Sequence, residues 1–324
     1  VQCEPIVDVY IAPGDRRAAL ESDVRAGLGA SPKSLPPVWF YDDRGSELFD
    51  EITRLSEYYV TRAERSILEA HASEIIAAVP ADTLVELGSG TSAKTRLLLD
   101  AMSATGQLQR FIPFDVSEAT LRQAATDISS QYGTEVHAVV GDFHSHLDRI
   151  PRTGRRLVAF LGSTIGNLDP GQRRRFLLDL DSGMDHGDHL LLGTDLVKDA
   201  SRLLAAYDDA GGVTAEFNKN LLKVLNRELN AHFDPDLFEH VAVWDEEGHR
   251  IEMRLRATAA HTVTIDDLDM TVSFAEGEDL LTEISSKFTA GQVESELWDS
   301  GFVLDKTWTD PAGDFLVALA HPYC

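Results

Sequence analysis

The chain has 324 residues, 43% of them hydrophobic and 26% charged, which supplies enough apolar material for a packed core and excludes disorder as a global state. A net charge of −25 sets it against phosphate backbones and anionic lipid, so neither nucleic acid nor a membrane surface is expected as partner, and a small or zwitterionic substrate is. No apolar run approaches the ~18 residues of a membrane span, and residues 1–14 lack the basic-then-apolar layout of a signal peptide, so the cytoplasm is the expected location. A monomer is the expected state.

Thr61 and Glu64 form a candidate capping box opening a helix to about Val79. A strand follows at residues 83–87, then an amphipathic helix over 91–102 and a second strand at 110–115. Ser117 is placed to cap a helix to about Gln131, and strands are expected at 135–140 and 157–162. Pro170 opens another helix, and residues 189–194 form a fifth strand. Short apolar strands alternating with helices imply a parallel sheet wound on both faces, with ligands outside the carboxyl ends of the strands.

The pattern changes after Lys198. Helices at 200–207 and 213–229 precede alternating stretches at 238–244, 250–256, 261–265 and 270–274, which read as antiparallel strands of a separate lobe. The tail returns to a helix at 290–300 and strands at 302–308 and 314–320, an antiparallel pair that would complete the first sheet. Cys3 and Cys324, one at each end, build neither a disulfide framework nor a thiolate site. His144 and His146 beside Asp142 lack a third ligand at recognisable spacing, so no metal is expected.

The central motif runs from Val85 through Glu86, Leu87, Gly88, Ser89, Gly90, Thr91, Ser92 and Ala93 to Lys94, after a strand and ahead of a helix. Its glycines permit a tight turn and close backbone approach to a ligand. Read as Gly88-x-Gly90-x-x-Ala93 it also fits a dinucleotide fingerprint, so an NAD-dependent dehydrogenase stands as an alternative. Context favours another ligand: Glu86 lies inside the first strand, Asp115 closes the second, and Gly141, Asp142 and Phe143 close the third. Together these residues resemble the class I methyltransferase pattern, with Asp115 for ribose hydroxyls, Asp142 for the adenine amino group and Phe143 beside the adenine ring. Capping of the following helices is the competing role for both aspartates. Ser92 stands where many methyltransferases have a third glycine.

Residues 32–42, 46–50, 161–168, 193–198 and 282–288 carry a more specific likeness, which extends from about residue 30 to the end. They resemble the histidine Nα-methyltransferases of ergothioneine biosynthesis. The resemblance implies an α/β chain with a Rossmann-like class I methyltransferase domain (62–198 and 288–324) and a smaller α+β substrate-binding domain (15–61 and 199–287). It implies transfer from S-adenosyl-L-methionine, leaving S-adenosyl-L-homocysteine, to the α-amine of L-histidine, three times over, giving hercynine.

Carried onto matching positions, the resemblance makes Asn167 and Tyr207 hold the substrate carboxylate, and Tyr58 touch the amine. Tyr41 lies near the amine through water, and Tyr41 and Tyr58 are the expected catalytic tyrosines. Glu283 and Ser285 address the imidazole, while Gly162, Thr164, Phe217 and Met253 line the pocket. Glu86, Gly88, Gly90, Lys94, Asp115, Asp142 and Phe143 fall on the cofactor side. Each has a plainer role: Glu is usually solvated, buried Tyr is common in cores, and Asn167 before Asp169 and Pro170 suits a turn. The remaining alternatives are a non-catalytic binding module and a methyltransferase for another amino acid or small amine.

Overall fold

The computed structural model describes residues 4–90, 92, 94–143 and 145–323. Cys3, Thr91, Ala93, His144 and Cys324 lie outside these residues. In chain order the elements are β1 (Ile6–Val9), α1 (Pro13–Gly29), β2 (Lys33–Ser34), α2 (Asp43–Ile52), α3 (Val60–Ala78), β3 (Thr83–Leu87), α4 (Arg96–Ala104), β4 (Arg110–Asp115), α5 (Glu118–Tyr132) and β5 (Glu135–Val140). Then come β6 (Arg156–Phe160), α6 (Pro170–Ser182), β7 (His189–Asp195), α7 (Ala200–Tyr207), α8 (Val213–Leu229), β8 (Phe238–Asp245) and β9 (Arg250–Ala257). The chain closes with β10 (His261–Ile265), β11 (Met270–Phe274), β12 (Asp279–Ser286), α9 (Ala290–Trp298), β13 (Phe302–Thr309) and β14 (Phe315–Pro322).

These elements fall into two compact units, one of Val1–Ala12, Val60–Val197 and Phe288–Cys324, the other of Pro13–Tyr59 and Lys198–Lys287. The first holds an eight-stranded sheet in the order β1-β5-β4-β3-β6-β7-β14-β13. From β1 to β7 neighbours are parallel, and the β13–β14 hairpin closes the sheet antiparallel to β7. Strand order reverses between β3 and β6, so the carboxyl ends of these two strands flank the switch point where such sheets take ligands. Val85, Phe114, Val139, Phe160, Leu192 and Leu316, from six strands, meet in one buried cluster.

Three sequence expectations change. The helix near Thr61 begins at Val60, and Glu64 is not a capping residue: it is fully buried and bonded to Lys94 and the Gly162 N–H. Ser117 occupies the N-cap of α5 without a side-chain capping bond, because its hydroxyl pairs with Thr120 while its own N–H donates to Asp115 at 3.0 Å. The helix after the glycine turn is described from Arg96 rather than residue 91.

In the second unit β2, β12, β9 and β8 form a four-stranded sheet, and β10 pairs with β11. A register shift between Leu281 and Glu283 marks a bulge at Thr282, whose hydroxyl donates to the Met253 carbonyl at 2.9 Å. Beyond it strand alternation turns Glu283 and Ser285 to one face, together with Met253, the residue directly opposite Glu283 on β9. Among the described residues no helix is long and apolar enough to cross a membrane.

Candidate active site

The first unit builds a turn for a ligand at the end of β3. Gly88 and Gly90 have φ of +68° and +48°, and among the described residues a Cβ on either would meet nothing within 4 Å. Ser92 also sits at positive φ, +54°, the conformation a third glycine would adopt freely. Its hydroxyl bonds Ser89 Oγ at 2.6 Å, and Ser89 donates to Glu86 at 2.6 Å, which ties the strained residue into the turn. Burial pushes the Glu86 carboxyl up to about 7, against the hydroxyls of Ser89, Thr95 and Ser92 and the charge of Lys94. Glu86 therefore braces the loop from beneath.

Asp115, at the end of β4, accepts from Gly90 N at 2.9 Å and Ser117 N at 3.0 Å. A carboxylate has about four acceptor sites, so lone pairs remain for a diol. Asp142 follows β5 and its carbonyl starts a turn, accepting from Ser145 N and His146 N. Phe143 stands edge-on to Phe160 and Phe176, at 5.8 and 5.7 Å between ring centres. A diol acceptor, an aromatic wall and a glycine turn at the ends of three adjacent strands fit a nucleoside with a polar tail.

After β6, Gly162 has φ of +80° and donates its N–H to Glu64 at 2.7 Å, while Glu64 also holds Lys94. Gly193 on β7 carries no side chain where a Cβ would collide with Glu64 Oε1. Thr164 donates to Leu161 O at 3.1 Å and Asn167 ends the same 3-10 turn, both half-buried. Ser163 Oγ accepts from Asp195 N at 2.9 Å, pinning this turn to β7.

The second unit gathers the remaining candidates around aromatic rings. Tyr41 stands edge-on to Phe49 and to Phe217, each at 5.6 Å, and Tyr58 stands edge-on to Phe49 at 6.3 Å and Tyr207 at 6.2 Å. Its neighbour Tyr59 faces elsewhere: its hydroxyl accepts from Lys198 Nζ at 2.7 Å, and Arg202 lies over its ring. Of the adjacent tyrosines it is thus Tyr58 that joins the cluster. Asp42 anchors Tyr41 by accepting from Gly45 N, Asn220 Nδ2 and Arg227 Nη1, each at 2.8 Å. Burial alone would raise the Asp42 pKa, but these donors outweigh it and hold the group below its usual value.

Glu283, Ser285, Tyr207 and Met253 are all buried in this unit. Burial pushes the Glu283 carboxyl up to about 7, with the charge of Lys287 pulling the other way. Tyr207 Oη and Ser285 Oγ bond each other at 2.7 Å. Behind Tyr207, its carbonyl meets His240 Nε2 at 2.8 Å; since a carbonyl only accepts, that nitrogen carries the hydrogen and Nδ1 accepts from Asn218 at 2.9 Å.

Sequence reading missed Glu64, Phe49 and Lys287. An acid four residues into an amphipathic helix and a phenylalanine on the preceding one carry no local sign of their role. Lys287 does, since it continues the alternation of Glu283 and Ser285. One further group, His189, Asp305 and His321, brings three possible metal-ligand atoms within 4.8 Å of one another. It lies at the start of β7, the opposite end of the sheet from the glycine turn, and His321 already bonds Asp305 at 2.9 Å.

A glycine turn closing the strand at the switch point, acids at the neighbouring strand ends and an antiparallel closing hairpin define a Rossmann-like, S-adenosylmethionine-dependent methyltransferase. The chain belongs to the histidine-specific, SAM-dependent methyltransferases, whose family model matches residues 20–322. It is 59% identical to the histidine N-alpha-methyltransferase of Mycolicibacterium smegmatis, across 96% of this chain and 97% of that one. It is 29% identical to ergothioneine biosynthesis protein 1 of Neurospora crassa, over 91% of this chain and 34% of that longer one. An L-tryptophan methyltransferase of Psilocybe serbica is 26% identical, with 91% of each chain covered.

Proposed function

We propose that this enzyme methylates the α-amine of L-histidine three times, using S-adenosyl-L-methionine and yielding hercynine for ergothioneine biosynthesis. The observation that carries the choice of acceptor is Glu283: a buried carboxylate on the Met253 face of β12, bonded to none of the described residues. A carboxylate so placed needs a donor, and an imidazole N–H supplies one that phenyl or alkyl side chains lack. The 59% identity with a histidine N-alpha-methyltransferase supports the same choice.

Bound at the first unit, the co-substrate supplies an electrophilic methyl group on a sulfonium. The glycine turn and Asp115 hold its nucleoside end, with Asp142 and Phe143 at the adenine. On the acceptor side Tyr207 takes the carboxylate and Ser285 donates to the ring nitrogen that Glu283 does not use, while Asn167, Gly162 and Thr164 are the acceptor-side residues that the first unit contributes. Tyr58 orients the amine. An ammonium must lose a proton before each transfer, and Tyr41 passes it to water. Phenols are weak bases at neutral pH, so its contribution is orientation of that water rather than strong basicity. As methyl groups accumulate, the rings of Tyr41, Tyr58 and Phe49 offer faces to the growing cation.

On this reading the enzyme works in the cytoplasm as a monomer on a free small molecule, and the net charge of −25 supports the lack of a nucleic-acid or membrane partner. The test is a panel of amino acids and small amines incubated with enzyme and S-adenosylmethionine and read by mass. Histidine should be consumed far faster than tryptophan or phenylalanine. Equal rates across the panel would refute the assignment.

A further inference from the structure

Glu283, Ser285 and Lys287 succeed one another at alternate positions, and Lys287 is only 1% exposed. Its ammonium donates to Ser285 Oγ at 2.8 Å and to Tyr207 Oη at 2.9 Å, and lies 4.6 Å from the centre of the Tyr207 ring. The two hydroxyls bond each other at 2.7 Å, closing a triangle of ammonium, phenol and alcohol.

The donor count of this triangle has a direct consequence. An ammonium has hydrogens to give and no lone pair to receive one. Each hydroxyl oxygen therefore has a donor from Lys287, and neither depends on the other's hydrogen. When a ligand arrives the mutual bond can open and both hydrogens turn outward, Tyr207's to a carboxylate and Ser285's to a bare ring nitrogen, with no oxygen left unsatisfied. Without Lys287 the same rearrangement removes this shared donor from both buried oxygens, which is costly.

We propose that Lys287 is a positioning residue that makes Ser285 and Tyr207 obligate donors opposite the acceptor-only Glu283, and so sets the specificity of the subsite for a ring with one N–H and one bare nitrogen. The proposal rests on the assignment of Glu283 and Ser285 to the imidazole. It separates histidine from an indole or pyrrole side chain, which has the N–H and lacks the second nitrogen.

The test compares kcat/KM for histidine with that for the two pyrrolylalanines, in which one or the other ring nitrogen is replaced by C–H, for wild type, Lys287→Met and Glu283→Ala. In Lys287→Met the preference for histidine should fall about tenfold or more, through KM, with S-adenosylhomocysteine binding unchanged. A purely structural role would lower all acceptors together. A folded Lys287→Met that binds S-adenosylhomocysteine and keeps the wild-type preference overturns the proposal, provided Glu283→Ala loses discrimination between histidine and phenylalanine. If Glu283→Ala also keeps that discrimination, the subsite assignment itself is wrong. Should Lys287→Met not fold, the ammonium of wild-type Lys287 can be followed by nitrogen-15 NMR. It should exchange slowly and shift with histidine but less with the pyrrolylalanines; an equal response to all three overturns the proposal.

Discussion

Glu64 on α3 accepts the backbone N–H of Gly162 at 2.7 Å, so a carboxylate on a helix fixes the first residues after a strand 98 positions later. The same carboxylate holds Lys94 beside the glycine turn, and both bonds are made from a fully buried position. One acid thereby couples the turn after β3 to the turn after β6.

Removing it should cost both stability and cofactor affinity. Glu64→Ala leaves Lys94 without this partner and Gly162 N–H without its acceptor, a loss of about 3 kcal/mol, read as a lower urea midpoint. The KM for S-adenosylmethionine should rise several-fold, and a variant with wild-type midpoint and KM would contradict the coupling.

Glu283→Ala should lower kcat/KM for histidine by about 10²-fold or more, since the imidazole N–H loses its acceptor. Activity on tryptophan or phenylalanine should fall less or rise, because the buried charge that disfavours them is gone. Retention of the histidine preference would remove Glu283 from recognition.

The carboxyls of Glu86 and Glu283 bind a proton more tightly in the folded chain, at about 7, than at their ordinary value of 4.5. Their contribution to stability is therefore complete below pH 4.5 and is lost as pH rises through about 7. Each accounts for about 3 kcal/mol across that window. Glu86→Gln should flatten the measured dependence of unfolding free energy on pH there. An unchanged slope would show that Glu86 titrates normally.

Activity should run the other way. Histidine turnover requires Glu283 as an acceptor, so kcat/KM should climb as pH passes about 7, and this limb should be missing in Glu283→Gln. A limb that persists in the variant belongs to the substrate or to another group.

Asp42→Ala removes the cap of α2 together with the bonds to Asn220 and Arg227. A loss of about 2 kcal/mol is expected, with a raised KM for histidine because Tyr41 precedes the cap. Unaltered histidine KM in a destabilised variant would separate Tyr41 from the acceptor site.

Much of this fold is legible in the sequence. The strands β3, β4, β5, β10 and β11 occur as their apolar runs and turn residues indicate, and the tail returns to pair with β7. Strand β12 is not legible, because the bulge at Thr282 breaks the period of two and buries the adjacent Thr282 and Glu283. That same bulge decides which face Glu283 takes, so a residue readable as a solvated glutamate is a buried strand residue. Strand β1 is four residues long, half-exposed and followed closely by Pro13, too short for a pattern to declare itself. The role of Glu64 is not legible locally, since its partners, Lys94 and Gly162, lie 30 and 98 positions away, beyond any capping rule.

The most direct measurement is the position of the transferred methyl groups. Histidine incubated with the enzyme and carbon-13 methyl-labelled S-adenosylmethionine should yield a product whose labelled methyls all lie on the α-nitrogen, as a single trimethylammonium resonance with both imidazole nitrogens unsubstituted. A labelled methyl on the ring, or no labelled histidine at all while another amino acid accumulates label, would contradict the account.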